Sequence, residues 1–168
     1  AYCGADVFAF MSHEETEGTD HRQWRPDGMI LCYPVLSSGE FGHRGSIDNL
    51  IGDKGTESAG LLQASAVEAL SLENQVSTDT PPAFLWHTFT DDCVPVENSL
   101  MFVNRMCQAK VPAELHIYPV GGHGLSLANR LTQTQEGYAV QEECSSWISL
   151  AHTWIEGQYG KKSAEVSS

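Results

Sequence analysis

Pro81-Pro82-Ala83-Phe84-Leu85-Trp86-His87-Thr88-Phe89-Thr90-Asp91-Asp92-Cys93-Val94-Pro95 is the stretch on which the reading of the fold turns. The paired prolines break the chain, and the apolar run Ala83 to His87 then reads as a strand buried on both faces. A polar loop with two carboxylates follows. Pro95, whose fixed φ suits a first helical turn, opens the next element. Leu100, Val103, Met106 and Cys107 recur at spacings of three and four, which predicts an amphipathic helix to about Lys110.

The pattern repeats on both sides of this unit. Downstream, Ala113 to Tyr118 predicts another strand, ended by Pro119, and Gly121-Gly122-His123-Gly124 predicts a loop. Val140, Cys144, Trp147, Ile148, Ala151 and Ile155 share one face of a final helix, with Trp147 and Trp154 read as core or interface. Upstream, Gly28 to Val35 is a continuous apolar run ended by Ser37-Ser38-Gly39, as expected of a strand buried on both faces. Residues 37–80 are glycine-rich and read as a long loop with a short helix over Ser65 to Leu70, the kind of segment that serves as a lid or binding loop. Residues 1–24 stand apart as an atypical amino-terminal segment, with a short apolar run over Ala5 to Phe10. Residues 161–168 read as a polar tail, which leaves 25–160 as the folded unit. Strand, loop with some helix, strand, helix, strand, helix is the order of an α/β fold. It implies three α/β/α layers around a mostly parallel sheet of few strands. In such sheets reactive groups collect at the carboxyl ends of the strands.

Composition narrows the function. The 168 residues are 41% hydrophobic, enough for one domain with a core. Twenty-two acidic residues against nine basic ones give a net charge of −13, which repels phosphate backbones and anionic lipid and argues against nucleic-acid and membrane partners. Five cysteines are scattered without a Cys-x-x-Cys pair, and the seven histidines show no ligand spacing, so no metal or other cofactor is expected. Cys32, Cys107 and Cys144 fall in apolar patterns and are expected as buried thiols. The odd count, with no export signal visible, points to the cytoplasm.

The loops after the second and third strands carry the chemistry. A carboxylate on one strand end and the imidazole of His123 on the next can share a hydrogen bond that fixes the ring's tautomer. The ring can then take a proton from a nucleophile and return it to a leaving group. Spacing favours Asp91 as the acid, with Asp92 as the alternative; capping the helix near Pro95 is the structural role open to either. His87, beside Trp86, reads as a packed or hydrogen-bonded structural group. His43 and Arg44, in the long loop, are candidates for substrate contact or for stapling that loop.

These segments resemble the α/β-hydrolase esterases of the acetyl-xylan and feruloyl type, and prolyl-oligopeptidase-like hydrolases more distantly. The similarity is carried by Arg25 to Val35, Gly39 to Ser46, Pro81 to Asp91, Val94 to Leu100 and Tyr118 to Leu127, in that order, over residues 25–156. The resemblance implies the carboxyl-terminal half of such a domain. It places the triad acid on Asp91 and the triad histidine on His123, and implies a small ester, such as an acylated sugar, as substrate. The family sets its nucleophile in a Gly-x-Ser-x-Gly elbow ahead of the Arg-Pro-Asp segment. The nearest stretch here, Phe10-Met11-Ser12-His13-Glu14, makes Ser12 the candidate although Phe10 and Glu14 crowd the tight turn. The alternative is a non-catalytic module. In either case an uncovered sheet edge predicts a homodimer or higher oligomer.

Overall fold

The computed structural model describes residues 25–51 and 66–160. The expectations for Cys3, Ala5 to Phe10, Ser12 and the polar tail fall outside those residues.

Three strands, β1 (Met29–Cys32), β2 (Ala83–Thr88) and β3 (Ala113–Tyr118), form a parallel sheet in the order β1-β2-β3. Among the described residues three α-helices accompany them, α1 (Arg44–Ile51), α2 (Glu97–Gln108) and α3 (Trp147–Tyr159), with a helical turn at 66–69. The fold is α/β with helices on both sheet faces, because β2 alternates its side chains between two cores. Ala83 and Leu85 pack with Met29, Leu36, Leu72, Phe102, Met106 and Val111 on the α2 side. Phe84 and Trp86 pack with Leu125, Trp147, Ala151 and Trp154 on the α3 side. Every residue of the central strand β2 is buried.

Several elements differ from the expectations. β1 is four residues long rather than eight, because Tyr33 takes a positive φ of 39° and Pro34 follows it. It is not buried on both faces: Ile30 is 40% exposed. The glycine-rich segment contains α1 and a 3₁₀ turn at Leu72–Asn74, both outside the expected short helix. On α2 the buried stripe is Asn98, Ser99, Phe102 and Met106, one step away from Leu100 and Cys107, which are exposed. The stripe shifted because two polar residues are recruited into it by hydrogen bonds. The last helix starts at Trp147, after a 3₁₀ turn over Glu142–Ser146, and buries Trp147, Ala151 and Trp154 while Ile148 and Ile155 stay exposed.

Asn98 joins α2 to the loop after β1. Its Oδ1 accepts from the backbone N–H of Leu36 (3.0 Å) and Ser37 (2.9 Å), and its Nδ2 donates to the carbonyls of Phe41 (2.8 Å) and Pro95 (2.9 Å). Beside it, Ser37 Oγ donates to the buried Glu73 Oε1 at 2.8 Å, and the Ser38 and Ser71 hydroxyls pair.

Candidate active site

The parallel ladder continues past β2 through Phe89 N–H to Tyr118 O at 2.7 Å, so the loops after β2 and β3 leave the sheet side by side. Two threonines stitch them together. Thr88 Oγ1 and Thr90 Oγ1 each donate to Gly121 O at 2.9 Å, and Gly121 N–H donates back to Thr90 Oγ1 at 2.9 Å. Gly121 has φ +153°, and a Cβ there would lie 2.6 Å from Thr88 Cγ2, so only glycine lets the second loop approach this closely.

Asp91 and His123 meet at that seam. Asp91 Oδ2 lies 2.9 Å from His123 Nδ1; the Asp91 side chain is fully buried and that of His123 is 31% exposed. Asp91 Oδ1 accepts from the N–H groups of Cys93 (3.0 Å) and Val94 (2.9 Å), which closes a turn leading into α2. Asp91 therefore serves the turn and the imidazole together, whereas Asp92 is exposed. A carboxylate accepts, so His123 Nδ1 carries the proton and Nε2 is left with a lone pair. That arrangement suits general-base chemistry at Nε2.

Two tyrosines that sequence reasoning passed over hold His123, one at its ring and one at its backbone. Tyr33 packs edge-on against His123 (centroids 4.9 Å) and against Trp86 (5.0 Å), and its hydroxyl accepts from Ser126 N–H at 3.2 Å. Its φ of 39° is a strained conformation for a bulky residue, and its N–H is pinned to Trp86 O at 2.8 Å. Tyr138 Oη donates to the carbonyl of His123. Burial, then the charges of Asp91 and Asp92, push the Tyr138 phenol above its ordinary value, which keeps this donor protonated. The only signal for Tyr33 was its place at the carboxyl end of a strand, and nothing in sequence marked Tyr138.

The other candidates fall elsewhere. His43 Nδ1 accepts from Ser46 N–H (3.2 Å) and pairs with Ser46 Oγ (2.9 Å), so it caps α1 and staples its loop. Arg44 is exposed in the first turn of α1. Neither makes a hydrogen bond to Asp91 or His123 among the described residues. His87 is fully buried and hydrogen-bonded, as expected. Cys144 is buried, with its thiol raised to about 11 by burial and then by Glu143; Cys93 and Cys107 are exposed, contrary to the expectation for Cys107. A groove of about 530 Å³ lined by Asp27, Gly28, Ile30, Trp154 and Ile155 lies at the amino end of β1, across the sheet from His123.

Comparison with known proteins agrees with this fold. An endo-1,4-beta-xylanase B from Butyrivibrio fibrisolvens is 42% identical over 105 residues, covering 62% of this chain and 15% of that protein. The acetyl ester-xyloside bifunctional hydrolase from Caldicellulosiruptor lactoaceticus superposes with TM-score 0.65 at 39% identity, over 84% of this chain and 47% of its own. A sugar hydrolase from Lactococcus lactis gives 0.69 at 33%, over 86% and 53%. A carboxylesterase from Lactobacillus plantarum gives 0.64 at 26%, over 93% and 54%. The chain thus spans about half the length of these solved structures and a smaller share of the xylanase. The model of the prolyl oligopeptidase family matches residues 51–145, which carry β2, β3 and both site loops. With that match over more than half its length and a parallel sheet shared with these hydrolases, the chain belongs to the prolyl oligopeptidase family of α/β-hydrolases.

Proposed function

We propose that this chain serves carboxylic-ester hydrolysis, with His123 as general base and acid and Asp91 as the acidic member of the triad. The observation that carries the reading is the 2.9 Å contact between Asp91 Oδ2 and His123 Nδ1 at the carboxyl edge of the sheet. In the reaction, His123 Nε2 takes the proton of a nucleophilic hydroxyl as that oxygen attacks the ester carbonyl. The imidazolium, paired with Asp91, then protonates the departing alcohol, and water repeats the cycle to release the acid. The nucleophile is proposed to come from outside the described residues, from another chain or an amino-terminal half, with Ser12 as the candidate within the chain. Acylated carbohydrate is the proposed substrate class, supported by the acetyl ester-xyloside hydrolase and sugar hydrolase likenesses. His43 and Arg44 are proposed as contributors to substrate contact from the α1 loop. Hydrolysis of p-nitrophenyl acetate by the purified chain, lost in His123→Ala, is the expected result. Turnover that survives His123→Ala would refute the assignment.

A second reading, a non-catalytic assembly module, is favoured by one observation. Among the described residues β1 pairs only with β2, and Ile30 and Ile155 are 40% and 41% exposed beside its free edge. A dimer or higher oligomer covering that edge is the form this reading takes. Light scattering at micromolar concentration decides it, since a monomeric mass excludes the assembly.

A further inference from the structure

Asp91 Oδ2 faces two imidazoles. His123 Nδ1 lies at 2.9 Å, and His87 Nε2, from within β2, lies at 3.3 Å with both of its partner's carboxylate oxygens already buried. The His87 ring is fully enclosed, and its tautomer is fixed by its surroundings. Nε2 is 2.9 Å from Val94 O, which can only accept, so Nε2 carries the hydrogen. Nδ1 is 2.8 Å from Ser99 Oγ on α2 and, in the neutral ring, accepts a hydrogen bond from that hydroxyl. Burial above all holds His87 below the ordinary imidazole value, with Val94 O and Asp91 opposing; the ring is therefore neutral near pH 7. A neutral donor at this position restrains the carboxylate without bringing a second positive charge to compete with His123.

We infer that His87 is a positioning residue for the site: Ser99 sets its tautomer, and its Nε2–H, donated to Val94 O, stands 3.3 Å from Asp91 Oδ2 and holds the Asp91 turn in register with His123. The chain of contacts runs from α2 through Ser99, His87 and Asp91 to His123, so one helix position reaches the solvent-facing base through a buried relay of orientation. With Cys93 N–H and Val94 N–H on Oδ1, the His87 contact at Oδ2 completes the set of neighbours that leaves Asp91 a single orientation. The inference rests on the acid–base reading of Asp91 and His123, but its test needs no nucleophile and no turnover.

The test is the proton on His123 itself, read by NMR of the full chain carrying ¹⁵N-labelled histidine at about pH 8, where an ordinary imidazole is neutral. Wild type is expected to show His123 as the Nδ1–H tautomer with a slowly exchanging low-field proton. In His87→Leu that tautomer falls to a minority and the low-field signal is lost, whereas His87→Gln, which retains a donor near the Nε2 position, keeps both. Ser99→Ala removes only a hydroxyl and covers the case in which the leucine variant does not fold. It should speed exchange of the His123 proton about tenfold or more. Folded leucine and alanine variants that retain the wild-type tautomer and exchange rate would overturn the inference. A wild-type ring already in the Nε2–H form would instead overturn the acid–base reading beneath it.

Discussion

Asp91 accepts from two backbone N–H groups and faces two imidazoles while its side chain is fully buried. Asp91→Ala strands those donors, and the expected loss is about 3 kcal/mol of stability, measured by urea unfolding. His123 has one side-chain hydrogen bond, to Asp91, an edge contact with Tyr33 and a partly exposed ring, so His123→Ala should cost less, about 1 kcal/mol in the same measurement, while abolishing the proposed activity. The two substitutions thus separate a residue that holds the fold from one that serves the chemistry. His87 adds a pH signature. Its folded value is depressed, so the stability it contributes is full above the unfolded value of 6.5 and is lost as pH falls through it toward the lower folded value. The groups facing it are Asp91, His123, Ser99 and Val94 O, and Asp91 opposes the loss only in part. Urea midpoints should therefore decline below about pH 6.5 in wild type and decline less steeply in His87→Gln.

At the scale of elements, the seam between the β2 and β3 loops depends on a missing side chain. Gly121→Ala would drive a methyl group into Thr88 Cγ2 from a backbone conformation alanine avoids, so a Tm lower by several degrees is expected in calorimetry. In the core cluster on the α3 side Trp147 stacks on Trp86 with centroids 5.4 Å apart and planes 17° from parallel, and Trp147→Ala should cost about 3–5 kcal/mol by the same urea assay. Sequence pattern located β2 as an apolar run after paired prolines, β3 as a run ended by Pro119, and α2 and the last helix by their helical repeat, because these signals are local. It misjudged faces where distant polar partners overrule hydrophobicity: Asn98 and Ser99 turn inward for the β1 loop and His87, which pushes Leu100 and Cys107 outward. It also passed over α1, whose start depends on the His43 ring accepting from Ser46 rather than on an apolar stripe. Asp91 and His123 were legible because strand ends in a parallel sheet are predictable places. Tyr33 and Tyr138 were not: Tyr33 stands at a strand end, but its packing on His123 depends on a positive φ that no local pattern announces, and Tyr138 folds back from a loop without periodicity.

For the molecule as a whole, a net charge of −13 and a β1 edge that has no partner strand among the described residues act in opposition. Like-charged copies repel at low ionic strength, and salt screens that repulsion while leaving strand pairing intact. If the edge mates with another copy, the mass seen by light scattering should rise between low and physiological salt; a mass constant across that range counts against self-assembly. The Asn98 joint carries a separate consequence for the lifetime of the protein. One carboxamide fastens the β1 loop to α2 through two acceptor and two donor contacts, and within the buried helix its backbone is held away from the geometry needed for succinimide formation. Once the chain unfolds, Asn98-Ser99 becomes an ordinary deamidation site. The resulting carboxylate would face the carbonyls of Phe41 and Pro95 with no proton to give. Prolonged denaturation would then turn reversible unfolding into chemical ageing, with the altered chains unable to rebuild that corner.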